Sequence, residues 1–135
     1  MYIDTHAHVN FNVYKDDAEE ILKKSLDREI WVVNVGSQYS TSKRAVEMAK
    51  KYSEGIYACV GLHPIHLKKG IVKHKDDEEL EEIEIPANGE EFDYQKYLEL
   101  AKKEKVVAIG EVGLDYHHFD ETDNISELIQ KQKEV

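Results

Sequence analysis

Four short runs of β-branched and apolar residues, separated by stretches of helical periodicity, constrain this chain more than any other feature. Residues 2–5, 30–35, 56–60 and 106–110 read as strands, because β-branched and aromatic side chains suit a pleated, packed surface. Between them, residues 16–28 place Ala18, Ile21, Leu22 and Leu26 on one helical face. Residues 42–52 do the same with Ala45, Val46 and Ala49, and residues 94–103 with Tyr97, Leu98 and Ala101. Strands separated by helices pair in parallel, since a parallel neighbour is reached only through a crossover connection. The spacing therefore predicts an α/β fold of about four parallel strand–helix units in one domain spanning residues 1–135. A sheet covered on both faces and a barrel both accommodate such apolar strands. Residues 125–135 begin another helical pattern in which the chain stops, which reads as a truncated domain.

The polar stretch at residues 66–93 is far longer than an ordinary strand-to-helix connection. A short helix or strand over residues 78–85, and turn chemistry at Pro86, Asn88 and Gly89, are expected there. With 28 acidic against 18 basic residues the formal net charge is −10. This disfavours a broad basic face for nucleic acid and makes any phosphate contact local. The acidic runs at 76–84 and 90–93 read as solvated surface. A single cysteine, Cys59, excludes an intrachain disulfide and a cysteine-type zinc site. The apolar runs are too short to cross a bilayer and no signal segment precedes the first strand, so a cytoplasmic protein without a membrane partner is expected.

Chemistry-bearing residues cluster where the predicted strands end. His6 and His8 alternate at the end of the first strand, and a period of two places both imidazoles on one face, where they can share a metal ion or simply close the strand. Asp4, one step earlier, is placed to orient a histidine. His63, in Gly61-Leu62-His63-Pro64 after the third strand, can hydrogen-bond a phosphate oxygen or donate a proton. Glu111, in Gly110-Glu111-Val112-Gly113-Leu114-Asp115 after the fourth, supplies a carboxylate able to bridge two cations. Asp115 either orients a ligand or caps a turn. Tyr116, His117 and His118 follow directly and can reach a substrate, while His66 and His74 read as surface residues. All three clusters fall at carboxyl ends of strands, the rim on which α/β barrels assemble their sites.

Ile3-Asp4-Thr5-His6-Ala7-His8, Gly61-Leu62-His63-Pro64 and Gly110-Glu111-Val112-Gly113-Leu114-Asp115-Tyr116 together resemble the TatD deoxyribonuclease family in order and spacing, over essentially the whole chain. The resemblance implies half of a (β/α)8 TIM-type barrel of the metal-dependent hydrolase superfamily, the N-terminal part of a TatD-like domain with a polar insertion at about residues 66–93. It further implies two divalent ions (magnesium, manganese or zinc) and cleavage of DNA phosphodiester bonds from an end, as a 3′-5′ exonuclease with a preference for single strands. By the same resemblance His6 and His8 hold one metal and Glu111 bridges. Glu111 and His63 are the catalytic residues, and His63, Asp115 and Tyr116 contact substrate. Family members are about twice as long, and their second half adds two histidines and an aspartate to the site. The chain is therefore expected to be inactive alone unless its open edges recruit a second copy or a complementary half-barrel. The alternatives are a non-catalytic assembly module and a metal-dependent hydrolase of a non-nucleic ester or amide.

Overall fold

A computed structural model describes residues 1–74 and 83–135. Most of the 76–84 acidic run and of the element expected at 78–85 lies outside the described residues. In chain order, β1 (Tyr2–Ala7) leads through α1 (Ala18–Asp27) to β2 (Ile30–Val35), and α2 (Tyr39–Ala49) leads to β3 (Ile56–Val60). A hairpin of β4 (Lys69–His74) and β5 (Ile83–Asn88) precedes α3 (Tyr94–Ala101), β6 (Val106–Ile109) and α4 (Ile125–Glu134). The sheet is parallel throughout, in the order β1-β2-β3-β6. A doubly wound sheet reverses its strand order at a switch point; this one winds in a single direction, as a barrel segment does.

The main core lies between the sheet and the helices, where Leu22, Val32, Ala45, Val46, Ile56, Ala58 and Val60 are buried together. Each large side chain buried there contributes roughly 1.5–3 kcal/mol. On the other face of the sheet Val33, Val35 and Cys59 form a smaller cluster with Tyr57. The two outer strands are only partly covered, and Tyr2, Ile3, Val107 and Ile109 are exposed.

Helix α2 begins three residues before its apolar periodicity does. Gln38 and Thr41 close a capping box there, and both carboxylate oxygens of Glu90 accept from the Tyr39 backbone N–H. The Tyr97 hydroxyl donates to the same carboxylate at 2.6 Å. Asp93 caps α3 by accepting from the backbone of Gln95 and Lys96. The expectation that residues 90–93 are merely solvated is thus corrected: an exposed helix N-terminus draws carboxylates to its unpaired N–H groups.

The insertion forms an antiparallel ribbon, with Val72 and Ala87 buried. Pro86 and Asn88, expected in a turn, lie in β5 opposite Ile71 and Lys69. A two-stranded ribbon tolerates proline because one backbone edge of each strand needs no partner. Among the described residues no helix is long and apolar enough to cross a membrane.

Candidate metal centre

His6 and His8 leave the end of β1 with their rings converging. Nε2 of His6 lies 3.2 Å from Nε2 of His8 and 2.9 Å from Oε1 of Glu111. All three atoms lie within 4.8 Å of one another. His8 Nδ1 sits 3.0 Å from the Val35 carbonyl oxygen, which only accepts, so Nδ1 carries the proton and a neutral ring turns its Nε2 lone pair toward the cluster. Phe11 stacks on the His8 ring, centroids 4.3 Å apart. Asp4, expected to orient a histidine ring, meets the His6 backbone instead. The strand register slips between Asp4 and Ala7, which interrupts the period of two, and Asp4 Oδ1 accepts the His6 backbone N–H at 3.0 Å.

Glu111 reaches this cluster because the ends of β2, β3 and β6 lie close together. Gly110 donates to the Val60 carbonyl at 2.9 Å and Glu111 to the Gly36 carbonyl at 3.1 Å. A Cβ on Gly61 would stand 2.4 Å from the Gly110 carbonyl carbon and 2.7 Å from the Glu111 carbonyl oxygen, so no other residue fits there without moving the backbone.

The donor set fits a divalent cation. With metal–donor bonds of about 2.1 Å, adjacent donors around an octahedral ion stand roughly 3 Å apart, the spacing of His6 from both of its neighbours. Two imidazoles and a carboxylate suit first-row transition ions better than magnesium or calcium, which prefer all-oxygen sites. The His6 side chain is 55% exposed and that of Glu111 26%, so the cluster faces an approachable cavity.

Residues 3–135 match the family described as TatD related DNase. The chain belongs to this family. It is 38% identical over 118 residues to the uncharacterized metal-dependent hydrolase YabD of Bacillus subtilis (strain 168), covering 87% of this chain and 38% of YabD. The uncharacterized metal-dependent hydrolase YjjV of Escherichia coli (strain K12) is 30% identical over 115 residues, covering 84% of this chain and 38% of YjjV. The crystal structure of YjjV, a TatD homologue, matches the fold with a TM-score of 0.59 at 25% identity, covering 98% of this chain and 45% of that one. The chain thus spans about two fifths of the length of these relatives.

Beside the cluster, this TatD-family chain has a cavity of about 540 Å³ lined by His6, His63, Glu111, Asp115 and His118, among others. A larger one, about 720 Å³, lies between the hairpin and α4 and touches none of the three converging side chains. His63 caps the 3-10 turn Pro64–Leu67, its Nδ1 accepting from the Ile65 backbone N–H at 3.2 Å. Nδ1 is therefore the unprotonated nitrogen, and a neutral ring carries its proton on Nε2 as a donor. Asp115 serves the loop backbone: Oδ1 accepts from the N–H groups of His117 and His118. Burial pushes its carboxyl upward, but these bonds and the His118 ring outweigh that and hold it below the usual carboxylate range. Tyr116 is exposed and does not line the cavity.

His66, expected at the surface, is 4% exposed. The 3-10 turn folds it inward until Nε2 stands 3.3 Å from Ser37 Oγ. Burial, helped by the nearby His63, lowers its pKa to about 4. The His74 side chain lies outside the described residues. Sequence reasoning missed the Val35 carbonyl, the Phe11 ring and Asn10, whose buried Nδ2 donates to Val35 and Thr41 carbonyls. No residue type advertises a carbonyl contact. It left His118, whose ring is tied to Asp115, as only one of three loop residues.

Proposed function

We propose that this chain carries the metal-binding part of a hydrolase that cleaves DNA phosphodiester bonds, from an end and in the 3′-5′ direction, with single strands preferred. The observation that carries the reading is the convergence of His6 Nε2, His8 Nε2 and Glu111 Oε1 within 4.8 Å of one another at carboxyl ends of parallel strands. Membership of a family described as TatD related DNase supports it. On this reading His6, His8 and Glu111 would hold the divalent metal. Such an ion supplies Lewis acidity and an activated water for in-line displacement. His8 is oriented by the Val35 carbonyl, His63 donates from Nε2 to a phosphate oxygen, Asp115 keeps the following loop in place, and Tyr116 contacts substrate from outside the cavity. A formal charge of −10 leaves the metal cluster to neutralise the phosphate locally. We place the protein in the cytoplasm, in keeping with its single buried cysteine.

The net charge also favours a second reading, in which the same cluster hydrolyses a non-nucleic ester or amide. A cleavage assay on a single-stranded oligonucleotide with magnesium or manganese separates the two. Metal-dependent cleavage is expected to fall at least a hundredfold in Glu111→Gln, which keeps the side chain's size and removes its charge. Equal cleavage by both proteins would discard the nuclease reading. Manganese binding by calorimetry, weakened in Glu111→Gln, reads the site without requiring turnover.

A further inference from the structure

Asp115 and His118 form a side-chain pair that the metal cluster does not account for. His118 Nδ1 lies 2.7 Å from Asp115 Oδ2, and each side chain is only 12% exposed. A carboxylate accepts, so Nδ1 bears the proton and Nε2 is the nitrogen through which this ring addresses a ligand. The arrangement is held from three directions. Asp115 Oδ1 takes the two backbone N–H groups of the turn. The buried Gln132 of α4 accepts the Asp115 N–H at 2.9 Å. Lys68, 10% exposed, grips Asp120 at 2.5 Å and Asp123 at 2.7 Å and reaches the His118 carbonyl at 3.5 Å. Loops are ordinarily the loosest parts of a fold. This one is clamped by a helix and by the insertion around an imidazole that lines the same cavity as Glu111 and His63, which is the preorganisation that ligand contacts require.

We propose that His118, oriented by Asp115, is a phosphate-binding residue of this cavity, presenting its Nε2 edge to a substrate phosphate oxygen. Asp115 is then its positioning residue. The inference rests on the phosphodiester reading above, and its test is separable from that of the metal.

The test is titration of the purified chain, carrying ¹⁵N-labelled histidine, with inorganic phosphate and without metal. The His118 ring signals are expected to move with phosphate, and His118→Ala to raise the phosphate Kd about tenfold or more, as loss of one hydrogen bond to a charged group does. Asp115→Asn keeps an oxygen for the two backbone N–H groups but removes the carboxylate from Nδ1. It is expected to weaken phosphate binding several-fold and to change the His118 tautomer signals, an effect that loss of loop structure alone would not produce. It also judges the proposal if His118→Ala fails to fold. Wild-type chain that binds no phosphate at tens of millimolar, unmoved His118 signals, or unchanged affinity in folded His118→Ala would overturn the proposal. A parallel manganese titration without phosphate reads the His6, His8 and Glu111 cluster. Failure there sinks the metal reading and leaves the phosphate result to judge His118.

Discussion

Chemically identical imidazoles are assigned different tasks by whatever touches each ring. His8 gives its Nδ1 proton to a carbonyl and turns a lone pair toward the cluster, and His63 spends its Nδ1 lone pair on a turn. His118 is held by a carboxylate. His66 is buried neutral, with a pKa lowered to about 4, and this has a consequence in acid. Its folded value lies below the ordinary ~6.5, so as the pH falls the unfolded chain takes up the proton first. The stability associated with the neutral ring is complete above about pH 6.5 and is lost progressively toward pH 4. At pH 5 the loss is on the order of 2 kcal/mol. His66→Gln keeps a polar group for Ser37 but does not titrate. Urea unfolding at pH 7.5 and pH 5 should therefore show wild type losing about 2 kcal/mol more than the variant. Parallel losses in the two proteins would show that His66 is not the titrating group.

At the scale of elements, the strand ends decide where the side chains meet. Strands β2 and β3 coincide with the apolar runs at 30–35 and 56–60, because burial on both faces writes itself into consecutive residues. The start of α2 does not, since one of its caps is Glu90, a carboxylate 51 residues away. The same close approach that delivers Glu111 leaves no room at Gly61. Gly61→Ala is expected to push the Gly110–Glu111 backbone away, costing about 1–3 kcal/mol of stability as overpacking does. It should also weaken manganese binding about tenfold or more, although residue 61 offers no ligand atom. Calorimetric titration of the folded variant checks this, and a wild-type affinity would mean that Glu111 is not placed by that contact.

On the scale of the whole molecule, the parallel sheet ends at β1 and β6, whose outer edges pair with no other strand among the described residues. Tyr2, Ile3, Val107 and Ile109 are exposed along them. Exposed apolar edge strands pair with other chains unless something blocks them. We propose that the purified chain covers these edges with a second copy, a complementary half-barrel being the other way to do so. Sedimentation at micromolar concentration is then expected to show a dimer or larger species. Val107→Lys with Ile109→Lys should return it to a monomer, whereas a compact wild-type monomer would reject the idea. Local pattern determined the four strands of the parallel sheet and the helices between them, though not the β4–β5 ribbon, and that His6 and His8 belong together, because these depend on neighbours in the chain. The sequence also marked Glu111 as a candidate through its glycines. Only the tertiary structure decided that Glu111 meets His6, that a carbonyl of β2 and not Asp4 orients His8, that His66 is buried, and that Lys68 and Gln132 clamp the Asp115 loop. Those contacts join residues far apart in the chain, and a side chain's partner across such a distance is set by packing geometry, which leaves no periodic trace in the sequence.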